Sequence, residues 1–392
     1  METAYLVSAK RTAGCKAKKG KFAQTRPDEL AAQAIKGALA GLDLDLATID
    51  DVILGCAFPE GEQGMNLGRI AAMKAGLPQT VPGMTINRFC SSGLQAIALA
   101  VDRIKAGGAQ AIVAGGAESM SLVPMGGNKY SADPTLMHDW PESYASMGVT
   151  AELVAAKYGI NREDQDRFAL QSHQRAAAAI AEGRFTNEIV PVEVEWAQLN
   201  GLKLAKSKEL VAQDDGVRAD TNLEALAKLK PIFKMDGSVT AGNSSQTTDG
   251  AAAVLVVSEA YLKAHNLTPI ARLVSFTVTG CAPEIMGIGP IYAAPKAASL
   301  AGLSLNQIEL FELNEAFAAQ SLAVLGELKL DPSRVNVNGG AIALGHPLGC
   351  SGAKLTTTLL SELTRRKQQW GMVTMCIGGG MGAAGVFENL NR

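Results

Sequence analysis

The sequence predicts a mixed α/β protein built from two copies of one strand-helix-strand unit, and three observations lead there. The run IDDVILGCAFPEG from Ile49 and the run IELFELNEAFAAQ from Ile308 share an order of features at an offset of 259: an acidic start, an apolar β-rich stretch, then a small-residue turn. Phe89-Cys90-Ser91-Ser92-Gly93 and Gly349-Cys350-Ser351-Gly352-Ala353 each open an amphipathic stretch, at an offset of 260. Each stretch leads into an apolar strand ending in glycines, AIVAGG to Gly116 and MVTMCIGGG to Gly380.

The elements follow in order. METAYLVSAKRT reads as a first strand with charge at Lys10 and Arg11, lacking the order of a secretory signal. After Cys90, the positions Leu94, Ile97, Ala98, Val101 and Ile104 keep helical spacing, with Asp102, Arg103 and Lys105 opposite and Gly107-Gly108 as the stop. Cys90 therefore sits at a helix N-terminus. In the second copy Leu355, Leu359, Leu360 and Leu363 repeat the pattern, and Arg365, Arg366 and Lys367 load the last turn with the sign that suits the helix dipole. Between the copies, from about Ser119 to Asn243, lies a stretch richer in Met, Trp, His, Pro and charge, which reads as an inserted subdomain. AGNSSQTTDG then enters AAAVLVVS, a continuous apolar run expected of a strand buried on both faces and returning to the first half.

Composition narrows the function classes. With 392 residues the chain has room for two to three domains and a large core. Lys and Arg number 36 against 38 Asp and Glu, a net charge of -2 that gives a polyanion nothing to bind, so nucleic acid is not an expected partner. No apolar run reaches the roughly 18 residues of a membrane helix, and the end ENLNR is neither a peroxisomal nor an ER retention signal. A cytoplasmic protein is expected. The six cysteines are far apart and form no CxxC pair, so reduced thiols are expected instead of a disulfide framework or zinc ribbon.

Among those thiols Cys90 leads as a nucleophile candidate, because a helix dipole and free first-turn amides lower a thiol's pKa and offer donors to an oxyanion. A buried structural cysteine is the alternative, and Cys350 shares the same local context. Cys376 precedes Gly378-Gly379-Gly380 at a strand end, where bare backbone amides can meet a ligand. His346 lies between Gly345 and Pro347 in a loop, not on a helical stripe, and Asn314-Glu315 follow the apolar strand FEL, where α/β sheets place site residues. Gly380, Gly382 and Gly385 satisfy G-x-G-x-x-G, but too little chain follows for a dinucleotide-binding βαβ unit. No P-loop occurs, and His138, His173 and His265 lack metal-ligand spacing, so they read as surface or packing residues.

Taken together, NRFCSSGLQA (87–96), AGNSSQTTDGAAA (241–253), NEAFA (314–318), GGAIALGHPLGCSGA (339–353) and CIGGGMGAA (376–384) resemble the thiolase family over essentially the whole chain. The resemblance implies a five-layer αβαβα fold of two duplicated halves, residues 1–119 plus 244–268 and residues 269–392, with a loop domain over 120–243. It implies Cys90 as the acyl-accepting nucleophile, His346 as its base and Cys376 as the second acid/base. Asn314, through a water, and His346 would form one oxyanion site; the amides of Cys90 and Gly378 would form the other. Cys350 becomes a buried bystander. Arg218 and Ser245 are the matches for coenzyme A contacts, and Met147 for the acyl pocket.

The expected activity is thiolytic cleavage of a 3-ketoacyl-CoA to acetyl-CoA and a shortened acyl-CoA, and its reverse, with CoA and acyl-CoA as substrates and neither cofactor nor metal. CSSGLQ, AGNSSQ and Ser146, where acetoacetyl-specific members tend to have histidine, resemble the broad-specificity degradative branch. Rivals are an acetoacetyl-CoA thiolase working in synthesis, a decarboxylating ketoacyl synthase, and a non-catalytic acyl-CoA or lipid binder on the same fold. Thr12-Ala13-Gly14 departs from the threonine-proline common in the family. A homodimer or homotetramer, alone or within a β-oxidation complex, is the expected assembly.

Overall fold

The computed structural model describes residues 2–200 and 203–392. Its strands are β1 (Ala4–Arg11), β2 (Cys15–Lys16), β3 (Asp51–Gly55), β4 (Met84–Ile86), β5 (Ala111–Ser119), β6 (Val192–Asn200), β7 (Lys203–Val211), β8 (Thr248–Ser258), β9 (Ala271–Gly280), β10 (Leu310–Leu313), β11 (Trp370–Ile377) and β12 (Met381–Asn389). The large sheet runs β10-β11-β12-β9-β1-β8-β5-β3-β4, with β2 on β8, and β6 pairs only with β7.

Strand direction carries the duplication. In the first half β3 is parallel to β5, β5 antiparallel to β8, and β8 antiparallel to β1. In the second half β10 is parallel to β11, β11 antiparallel to β12, and β12 antiparallel to β9. The parallel neighbour β4 of β3 has a reduced counterpart in the single parallel bridge Phe311–Val335. The sheet strands of the two halves meet at one paired position, Leu6 with Ala271, and the isolated bridges Ser244–Phe317 and Thr247–His346 also cross between the halves.

Three apolar layers build the fold. Helices Pro27–Leu39 and Leu67–Lys74 cover one face of the first half through Leu30, Ile35 and Leu67 against Val52, Leu54, Leu255 and Val257. The opposite face, through Ile53, Ile112, Val254 and Val256, packs on helix Ser92–Lys105 and on helix Leu348–Arg366, which touch Val373, Met375 and Phe387 of the second half from their other side. Helix Gly289–Leu300 closes the far face through Ala293, Ala294 and Ala297 against Phe311, Met372 and Val386. Helix, sheet, helix pair, sheet and helix thus alternate. This explains the unbroken apolar run in β8: Val254 and Val256 enter one core while Leu255 and Val257 enter the other.

The central helices approach closely because both are small at the crossing. A Cβ on Gly93 would lie 2.7 Å from the Ala353 nitrogen, and one on Gly352 only 2.3 Å from the Leu94 nitrogen. The helix Leu348–Arg366 is buried without a break from Leu348 through Leu360, so its hydroxyls must find partners inside. Thr356 and Thr357 donate back to Gly352 O and Ala353 O at 2.8 and 2.9 Å.

The stretch between the halves supplies helices Met147–Tyr158 and Arg162–Ala181 and the β6-β7 hairpin. It is tied to β1 by Arg11, which reads in the sequence only as a charge on the first strand yet is fully buried. Its Nε donates to Glu188 at 2.6 Å, and its Nη atoms donate to both Asp214 oxygens at 2.8 and 3.0 Å. Removing one member would leave an uncompensated buried charge.

Gly352→Ala should lower stability by about 1–3 kcal/mol, since backbone on the facing helix cannot yield. Gly326→Ala, where a Cβ meets nothing within 4 Å inside helix Ala318–Leu328, should be neutral or stabilising by about 0.5–1 kcal/mol. Urea unfolding of both variants checks the contrast.

Candidate active site

Cys90 lies in the 3-10 turn Phe89–Ser91 that feeds directly into helix Ser92–Lys105. Phe89 adopts a left-handed φ of 43°, costly for a bulky residue, and its ring packs 5.9 Å from that of Phe58. Ser92 secures the turn by donating from Oγ to Phe89 O at 2.7 Å and accepting from Arg88 N at 2.8 Å. The backbone N–H groups of Gly378 and of Cys90 itself act on this thiol in the direction that favours its charged form. Gly378 has no side chain to intervene: a Cβ there would lie 3.6 Å from Met147 Sδ and 3.8 Å from Phe89 Cδ2.

The sequence-based expectation that the helix terminus lowers the Cys90 pKa is corrected here. Burial pushes the thiol up to about 11, Glu118 adds to the rise, and the two N–H donors offset only part of it. The resting sulfur is a neutral thiol. Cys376, fully buried near the end of β11, is likewise raised well above the ordinary thiol value, by burial and then by the neighbouring thiols Cys90 and Cys281. Cys350 is also buried and pushed up to about 12 by burial.

His346 is set by its surroundings on three sides. Gly345, at φ 82°, lets the backbone pass where a Cβ would come within 2.2 Å of Thr248 Oγ1. That oxygen accepts the His346 N–H at 3.0 Å, and Gln246 O accepts it at 3.1 Å. Nε2 lies 3.3 Å from Asn314 Nδ2, while Nδ1 contacts Ser351 Oγ. Burial, then the charge of Lys354, lowers its pKa to about 3, so the imidazole is neutral at rest.

Asn314 follows β10, and its N–H donates to Thr374 O of β11 at 3.0 Å. The next residue, Glu315, is a buried anchor: it accepts from Ser172 Oγ, Asn336 Nδ2 and Ile342 N at 2.7, 2.9 and 3.2 Å. The turn Phe89–Ser91 packs on both β11 and helix Leu348–Arg366. Cys90, Cys376, Gly378, Asn314 and His346, drawn from both halves, therefore converge.

Two further regions adjoin this centre. Met147, first residue of helix Met147–Tyr158, packs with Phe233 on the cluster that contains Cys376, Met286 and Phe317. Arg218 lies exposed beside a cleft of about 320 Å³ lined also by Lys16, His173, Gln246 and Ile342. Ser245 is half-buried next to Gln246, its N–H donating to Ala316 O at 2.9 Å. Because Gln246 O accepts the His346 N–H, the cleft backs onto the catalytic histidine candidate.

Some of these contacts are not signalled by the motifs. Ser351, Thr248 and Gln246 hold His346, and His173, expected to be an ordinary surface or packing residue, is buried and accepts the Arg218 N–H at 3.1 Å. Only the hydroxyl and amide residues within the motifs themselves could have pointed to the first three. G-x-G-x-x-G begins one residue before β12 and runs into that strand, and among the described residues no helix follows it. Among the described residues, no three His, Cys, Asp or Glu side chains gather as metal ligands, and no helix is long and apolar enough to cross a membrane.

Comparison with known proteins gives one answer. Residues 4–260 match the thiolase N-terminal domain and residues 267–389 the thiolase C-terminal domain. The chain is 55% identical over 389 residues to a 3-ketoacyl-CoA thiolase of Bacillus subtilis, covering 99% of this chain and 100% of the relative. It is 48% identical over 397 residues to an acetyl-CoA acetyltransferase of Pseudomonas aeruginosa, covering 98% of each. The crystal structure of the Bacillus anthracis acetyl-CoA acetyltransferase superposes with a TM-score of 0.89 at 40% identity, over 100% of this chain and 99% of that one. The chain belongs to the thiolase family.

Proposed function

We propose that this thiolase cleaves 3-ketoacyl-CoA with free CoA, yielding acetyl-CoA and a shortened acyl-CoA, and runs the reverse condensation, through an acyl group carried on Cys90. The observation that supports the reading is the packing of the Cys90 turn against both β11, which bears Cys376, and helix Leu348–Arg366, with His346 Nε2 3.3 Å from Asn314 Nδ2.

The steps follow from those positions. His346, neutral and with Nε2 turned to Asn314, takes the Cys90 proton as the sulfur attacks the 3-keto carbon. The bond between C2 and C3 breaks. Cys376, whose raised pKa keeps its proton, gives it to C2 of the departing acetyl-CoA enolate. The resulting Cys376 thiolate then deprotonates CoA, whose sulfur attacks the Cys90 thioester, and Cys90 recovers its proton from His346. Two oxyanions develop at different times, so each has its own donors. The N–H groups of Cys90 and Gly378 serve the oxygen on the acyl carbon; His346 and a water on Asn314 serve the enolate.

CoA and acyl-CoA enter as substrates, with no metal or redox cofactor required. The cleft beside Arg218 and Ser245 takes the coenzyme, and the side bearing Met147 takes the acyl chain. A cytoplasmic homodimer or homotetramer acting in fatty acid β-oxidation completes the proposal. The acetoacetyl-CoA reading is favoured by the Pseudomonas aeruginosa relative's name, and thiolysis rates on four-carbon against longer 3-ketoacyl-CoA substrates decide between the two.

Three outcomes are expected. Intact-mass analysis after mixing with acetyl-CoA should show an acetyl adduct that Cys90→Ala abolishes. Cys376→Ser should retain that adduct yet lose carbon-carbon cleavage by about 10²–10⁴-fold, the usual range for a lost general acid or base. Equal loss of both steps would contradict the assigned roles. With the Cys90 pKa near 11, iodoacetamide alkylation of free enzyme should rise about tenfold per pH unit between pH 7 and 10, without a plateau near neutrality.

A further inference from the structure

Ser351 is used by no step above, yet it is buried and its Oγ is the partner of His346 Nδ1. A serine in the first turn of a helix commonly donates to the carbonyl four residues back, and Ser351 does so toward Pro347 O at 3.1 Å. A hydroxyl has one hydrogen to give. With that hydrogen on Pro347 O, the oxygen can only accept from the imidazole, which places the ring proton on Nδ1. The other side of the ring agrees, because Asn314 presents its amide nitrogen, a donor, to Nε2 at 3.3 Å. An Nε2–H would face another donor there.

We infer that Ser351 is a positioning residue that fixes His346 as the Nδ1–H tautomer, so that Nε2, on the side of the ring facing Asn314, is the unprotonated nitrogen that serves as the base for Cys90. The inference rests on the reading of His346 as that base. Ser351 touches no reacting atom; it acts by excluding the tautomer that could not accept a proton at Nε2. Nothing in the motif spacing separates this role from ordinary helix-start chemistry, since both use the same hydroxyl.

The test uses the full chain labelled with ¹⁵N-histidine, which is tractable because the chain has only 4 histidines. His346→Gln assigns the His346 resonances. At pH 7 the expected result is a protonated Nδ1 and an unprotonated Nε2; the opposite tautomer overturns the inference without any substitution at Ser351. In Ser351→Ala the Nε2 shift should move toward the protonated value, and acetylation of Cys90 by acetyl-CoA should slow by about 10- to 100-fold, within the span that a general base contributes. A folded Ser351→Ala protein with wild-type tautomer and wild-type acetylation rate also overturns it. If wild-type protein is not acetylated at all, the parent reading fails, whereas the tautomer remains readable by itself.

Discussion

The contact on which the site depends is the crossing of two helix starts, one from each half of the duplication. Because Gly93 and Gly352 let backbone meet backbone, the turn carrying Cys90 and the loop carrying His346 come within one layer of each other. Neither half alone has the full set of groups. The thiol comes from the first half, whereas the histidine, the second thiol, the asparagine and the Gly378 amide come from the second.

Duplication would offer two such mouths, and one residue breaks the equivalence. At the offset of 259 that the β3-β5 and β10-β11 ladders share, Ile377 of β11 stands where β5 has Glu118. Its carboxylate accepts from Gly349 N at 2.8 Å, Ala57 N at 2.7 Å and Gln63 Nε2 at 2.6 Å, so the second helix start is already filled by a built-in anion. At the first helix start the end of β11 brings Ile377 and three glycines, Gly378 to Gly380, and no carboxylate. Cys90 and Cys350 thus differ in what the opposite strand end brings to them, although their own neighbours along the chain are alike.

Much of this was legible in the sequence for a physical reason: glycine, proline and helix periodicity are local signals. They placed Cys90 at a helix start, His346 in a loop, Cys376 at a strand end, and β8 between two cores. What they could not convey is long-range. The rise of the Cys90 pKa comes from burial by elements far along the chain, which outweighs the local amides. Arg11 gives no hint of being buried, since its partners Glu188 and Asp214 lie about half the chain away. The contacts of Thr248 and Gln246 with His346 likewise join segments that the sequence separates by about one hundred residues.

Leu6 and Ala271 share the single ladder position between the halves, and the bridges Ser244–Phe317 and Thr247–His346 add two more, so backbone pairing is a small part of their cohesion. Their union is made by apolar side chains in the middle layer, where each sheet relies on helices from both sources. A chain cut near the junction would yield two fragments, each with one broad oily face open to water, so neither could persist as a separate folded unit.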